Sequence, residues 1–253
     1  MRDRVSKFIF ISIFFLLSIV YLVHFLVVGQ AVYGDGRMYY SYARAMAIRN
    51  SLDISQELNH RWTSESNNDL VPHVEEQYSF DYPHQTVGPI LFWSLVLKVV
   101  NFVVIGFNSV GAKMLIHVYS DLYHYTVGFA TILAFTLSNY LLYLNLIKKV
   151  KPIFAIYAII FFCFTTNLFY YSSIDLLNTH AFSYILSVLI LIRFLNKTSL
   201  GVLDGLLFGM LISNRTNDAV IYFPFLLSLI LRDFFLEMCY ILCVGFCQHY
   251  RLN

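Results

Sequence analysis

FIFISIFFLLSIVYLVHFLVV, from Phe8 to Val28, is a run in which only Ser12, Ser18, Tyr21 and His24 carry a polar side-chain atom. At about 1.5 Å per residue, a helix of this length spans the roughly 30 Å of a bilayer's hydrocarbon layer. The preceding residues, Met1-Arg2-Asp3-Arg4-Val5-Ser6-Lys7, are basic on balance. The run is too long for the apolar core of a cleaved signal peptide. It predicts a retained signal anchor with its basic end in the cytoplasm.

Outward from this segment the chain stays greasy. Further apolar runs cover 90–107, 124–147, 152–171, 180–195, 199–213 and 218–231. Of the 253 residues, 58% are hydrophobic and only 13% charged. Soluble domains carry about 25% charged residues, so a single soluble core is a poor fit. The expected fold is all-α, a polytopic bundle of transmembrane helices whose extracytoplasmic first loop contains interfacial helices. The membrane unit is expected over 1–231: the first span at 8–28, a functional loop at 31–87 and the helical bundle at 88–231. Residues 232–253 read as an atypical, truncated or frame-altered end. A net charge of +2 with no basic patch gives no reason to expect nucleic acid as a partner.

The run 90–107 decides the topology. Lys148-Lys149-Val150-Lys151 is a strong basic cluster and belongs in the cytoplasm. That is reached if 90–107 lies along, or dips into, the outer leaflet. Arg193, Lys197 and Arg232 then also fall inside, while the 172–179 and 214–217 segments join the 31–87 loop outside. If 90–107 crosses, as its length allows, this charge pattern inverts. The charge bias favours the first arrangement, in the plasma (inner) membrane.

The polar stretch 31–87 contains Gly34-Asp35-Gly36-Arg37-Met38-Tyr39-Tyr40-Ser41-Tyr42-Ala43-Arg44. Over 37–49 the periodicity is helical, with Met38, Tyr42, Ala45 and Met46 on one side and Arg37, Ser41 and Arg44 on the other. This predicts a short amphipathic helix lying flat at the interface. Asp35 then has two readings: a helix N-cap, or a carboxylate held as a general base. Arg37 beside it is suited to an anionic group.

Two more polar features break the apolar runs, and ionisable groups at membrane depth are candidate sites by default. Asn178-Thr179-His180-Ala181-Phe182-Ser183 opens one helix, and His180 can bind a phosphate or hydroxyl or be an ordinary interfacial residue. Ser213-Asn214-Arg215-Thr216-Asn217-Asp218 separates two short helices. Arg215 can clamp a phosphate or pair with Asp218 across the turn. Cys239, Cys243 and Cys247 share a helical face near His249, which reads as a soft metal site or as small residues on a membrane helix. No phosphate-cradling Gly-rich loop, nucleophile elbow or Cys-x-x-Cys pair is present. A reaction on a lipid phosphate fits better than one on a soluble nucleotide.

Four stretches in order resemble the C-type membrane glycosyltransferases, the superfamily of protein O-mannosyltransferases and bacterial lipid A aminoarabinose transferases. They are Gly34-Asp35-Gly36-Arg37 through Leu52-Asp53-Ile54; Tyr82-Pro83 with Val87-Gly88-Pro89-Ile90-Leu91-Phe92-Trp93; Thr179-His180-Ala181-Phe182-Ser183; and Arg215-Thr216-Asn217. The likeness covers 8–231. It departs where the family's Ser is Thr179 and where Pro is missing after Arg215.

The resemblance implies a polyprenyl-phosphate-linked sugar donor and a glycan, lipid or protein acceptor, with transfer outside the cytoplasm. It places the catalytic base at Asp35. Arg37, Tyr82, His84, His180 and Arg215 are the expected substrate contacts. No cofactor is expected, and no ligand cluster demands a divalent metal. The alternatives from other classes are a transporter or flippase-like protein for a lipid-linked sugar, and an inactive fragment.

Overall fold

The computed structural model describes residues 2–30, 32–58, 87–111, 120–196 and 201–215, with the single positions 220, 223, 227 and 231. Nine α-helices are described: α1 (Arg2–Val28), α2 (Gly36–Arg44), α3 (Ser55–Leu58), α4 (Val87–Ser109), α5 (Asp121–Leu146), α6 (Pro152–Thr165), α7 (Leu168–Ser173), α8 (Thr179–Asn196) and α9 (Val202–Asn214). A wider π-helical turn, Ala45–Arg49, continues α2. No strand occurs among the described residues. The fold is all-α, and α1, α4, α5 and α8 are each long and apolar enough to cross a membrane.

The sequence of α1 explains its placement. Phe10, Ile13, Leu17, Tyr21 and Phe25 recur every three or four residues and are buried. Phe8, Ile11, Phe15, Ile19 and Val23 face outward and stay exposed. So large an outward apolar surface would be a liability in water and suits lipid contact. The inward face packs antiparallel on α5. The Phe10 ring lies 5.3 Å from Tyr140 and 5.5 Å from Tyr143. Near the other end, Phe25 lies 4.9 Å from Tyr125, and the Tyr21 hydroxyl donates to the His124 carbonyl at 3.0 Å.

α8 runs in the same direction as α5. The Tyr184 hydroxyl donates to Asn139 Oδ1 at 2.7 Å, and Asn196 donates to Asn145 Oδ1 further along both helices. α9 returns antiparallel to α8. Arg193 pairs with Asp204 at one end of that pair, and Asn214 donates to the Thr179 carbonyl at the other.

The first turn of α4 lies near the start of α8, and Asn101 lies near the start of α5. Gly88 in that first turn is closely packed: a Cβ there would sit 3.2 Å from Phe182 and 3.4 Å from Asn214, so those side chains would have to give by a few tenths of an ångström. Further along, Trp93 donates to Thr131 Oγ1 at 3.2 Å, and Asn101 accepts from Tyr123, in the first turn of α5, at 3.0 Å.

The structure corrects two expectations. The run 152–171 is not one helix. Thr166 leaves helical geometry, and its hydroxyl accepts from the Leu168 amide at 3.1 Å, turning the chain into the short α7. Nor does α2 carry a solvated polar side, because Ser41 and Arg44 are buried with the apolar residues. α4 and α5 cover that face, and the Arg44 guanidinium lies 5.8 Å over the Tyr123 ring. The stretch 232–253, with Cys239, Cys243, Cys247 and His249, lies outside the described residues.

Candidate functional site

The Gly-Asp-Gly signature is built from two separate glycine requirements. Gly34 has φ +45°, a left-handed conformation that favours glycine and turns the chain into α2. Gly36 is needed for space, since a Cβ there would lie 2.4 Å from the Leu177 carbonyl oxygen. The start of α2 therefore touches the connection between α7 and α8, backbone against backbone. Asp35 sits between the two glycines, exposed, at the N-cap position of α2. Its carboxylate makes no capping bond. The chain spends two glycines to present a side chain that the helix itself does not use.

Asp175 lies opposite, in the α7–α8 connection, and is only 6% exposed. Its Oδ2 accepts from Asn178 Nδ2 at 3.0 Å, while Oδ1 is buried without a hydrogen-bond partner among the described residues. Burial pushes its carboxyl above the ordinary range. The Asp35 charge pushes the same way, and the Asn178 bond opposes both. Tyr33, just before Gly34, is raised to about 12, first by burial and then by Tyr170 and Asp175. Asp175 thus lies within electrostatic reach of both the Asp35 carboxylate and the Tyr33 phenol.

His180 follows in the first turn of α8. Its ring stacks on Tyr171, with centroids 3.8 Å apart and planes at 20°. Arg215 Nη1 donates to His180 Nδ1 at 2.6 Å. A guanidinium can only donate, so this bond requires a neutral imidazole with its proton on Nε2. Arg215 reaches this position because it caps the C-terminus of α9, its amide donating to the Leu211 carbonyl at 2.9 Å. Asn214, fully buried, ties the same turn to α8 through Thr179 and Ser183. The pairing of Arg215 with His180 bridges 35 residues of sequence.

Of the expected site residues, Asp35, His180 and Arg215 are brought to one side of the helical assembly. Arg37 sits half-buried in the first turn of α2, and its guanidinium makes no hydrogen bond or ion pair among the described residues. Tyr82, His84 and the alternative Arg215 partner Asp218 lie outside the described residues. No group of three or more His, Cys, Asp or Glu able to hold a metal occurs among the described residues.

Sequence reasoning missed Asp175, Tyr33 and Tyr171. The signal for Asp175 was present: it is the only acidic residue between Asp121 and Asp204. A lone acid among apolar helices is a candidate by the argument that selected His180. No protein-family model matches the chain, and no curated protein or solved structure is similar to it.

Proposed function

We propose that this chain is an inverting membrane glycosyltransferase that moves a sugar from a polyprenyl-phosphate donor to an acceptor hydroxyl outside the cytoplasm. The observation that carries the reading is the meeting of Asp35 with the α7–α8 connection that holds Asp175 and leads into the His180–Arg215 pair. The acceptor hydroxyl oxygen attacks the anomeric carbon as Asp35 takes its proton. The bond from that carbon to the phosphate oxygen breaks, its electron pair leaving on the lipid phosphate. Arg215, with Arg37 near the base, offsets the negative charge that develops there. Tyr82 and His84 complete the expected contacts. In this reading the N-terminus is cytoplasmic, α4 lies along or dips into the outer leaflet, and the site faces away from the cytoplasm.

The test is transfer from a labelled polyprenyl-phosphate sugar by the purified protein in detergent, with Asp35→Asn alongside. A general base contributes about 10²- to 10⁴-fold to rate, and the variant should lose at least the lower figure. Transfer by Asp35→Asn at the wild-type rate sinks the base assignment. A wild-type protein that moves the lipid-linked sugar across vesicles without forming product supports the transporter reading instead.

A further inference from the structure

Away from the Asp35 site, α1 and α5 enclose a groove of about 420 Å³ between their outward faces, within the roughly 300–1,000 Å³ range of ligand pockets. Phe10, Phe14, Leu133 and Leu137 line it, with Lys7 at one end and Thr136 in the wall. Phe10 packs on Tyr140 and Tyr143, so Lys7, about one helical turn earlier, lies level with the end of α5. Lys148, Lys149 and Lys151 follow that end directly and are exposed. Asp204, near the same end of the assembly, is already held by Arg193 at 2.6 Å.

We propose that this groove binds one acyl chain of an anionic phospholipid, with the headgroup phosphate against Lys7 and the neighbouring lysines. The polarity of the site fits an amphiphile in one orientation. The cation marks the headgroup level, and the Phe and Leu walls take the chain. A second copy of the chain is the poorer occupant, because pairing through this face would bring two lysine clusters together. The site rests on the membrane placement of these helices and is independent of the chemistry at Asp35. Juxtamembrane cations contribute about 1 kcal/mol each toward anionic lipid, roughly a five-fold preference apiece.

The experiment measures lipid retention by native mass spectrometry, and thermal unfolding, of the detergent-purified full chain. The lipids are dioleoylphosphatidylglycerol and dioleoylphosphatidylcholine. The wild-type protein should retain phosphatidylglycerol at least about five-fold better and be stabilised by it. Lys7→Gln should lose about that factor while still unfolding cooperatively. Leu137→Trp, which fills the groove from an exposed position, should retain neither lipid. Phe102→Trp, on the exposed face of α4, should behave as wild type. Equal retention of the two lipids overturns the proposal. So does unchanged binding in Leu137→Trp, equal loss in Phe102→Trp, or a doubled mass without bound lipid. A chain that extracts from membranes without detergent fails the membrane placement itself, a result distinct from a missing lipid preference.

Discussion

The two ends of the α8–α9 pair hold their charged residues in opposite ways. At one end Arg193 grips Asp204 with two hydrogen bonds, of 2.6 and 3.1 Å, and Asp204 also accepts from the Gly201 amide. Arg193 and Asp204 thus each have an opposite partner close by. At the other end Asp175 is buried with one oxygen unsatisfied among the described residues, a second carboxylate raises its affinity for a proton, and Arg215 donates to the His180 ring. Selection for stability alone would have paired these groups as it paired Arg193. An arrangement that leaves a carboxylate under such pressure is expected beside a functional site.

The comparison breaks most visibly at Asp35. Asp35→Asn should lower transfer at least about 10²-fold, while Asp204→Asn leaves it near wild type, both read as product from the lipid-linked donor. Arg215→Ala comes next. Hydrogen bonds to charged groups are worth about 1.5–3 kcal/mol, so kcat/KM for the donor should fall about 10- to 100-fold. A loss confined to thermal stability would assign Arg215 to holding α9 on α8. Gly36→Ala follows. Helix propensity favours alanine by about 1 kcal/mol, but the added carbon would stand 2.4 Å from a backbone carbonyl. Overpacking of this kind costs about 1–3 kcal/mol, so the net effect should be a lower unfolding temperature and weaker transfer together. A stabilised, active Gly36→Ala would separate α2 from the α7–α8 connection.

Asp175 sharpens the contrast through pH. Its folded-state pKa lies above the ordinary 3.8, so the folded chain holds this proton more tightly than the unfolded chain. Stability from this group is complete at acid pH and is lost as pH rises from 3.8 through the raised value. Asp175→Asn should therefore unfold at a higher temperature than wild type at pH 7, with the difference closing toward pH 3.8. Asp35→Asn should narrow the same window by removing one of the causes of the shift. An Asp175→Asn protein less stable than wild type at pH 7 would mean the carboxylate is satisfied by groups beyond Asn178.

Sequence periodicity was enough for most of the helices. It did not reveal the inward row Phe10, Ile13, Leu17, Tyr21 and Phe25, because the outward Phe8, Ile11, Phe15, Ile19 and Val23 are just as apolar. Nor did it reveal the break at Thr166, since a threonine in an apolar run is compatible with a continuing helix until its hydroxyl captures a downstream amide. The burial of Ser41 and Arg44 was hidden for a related reason: a polar helix face looks the same in sequence whether it meets water or a polar seam inside the protein. At the site, Asp35, His180 and Arg215 each stood out as polar interruptions. What no local pattern carries is the long-range geometry that brings Leu177 to Gly36 and Arg215 to His180. The absence of a capping bond from Asp35, the point that separates its two readings, is likewise a fact of side-chain geometry.

The smallest effect belongs to the satisfied end. The side chains of Arg193 and Asp204 are 27% and 12% exposed, so their pairing is partly screened and should be worth about 1 kcal/mol or less. Asp204→Asn retains an oxygen to accept from the Gly201 amide and loses mainly the charge, so it isolates the ion pair from the helix start. A double-mutant cycle of Asp204→Asn with Arg193→Gln, read by thermal unfolding, should give a coupling of that size and leave transfer untouched. If the cycle instead costs transfer as much as Asp35→Asn does, the two ends of α8 are not functionally distinct. Paired and unpaired charge would then no longer mark where the chemistry lies.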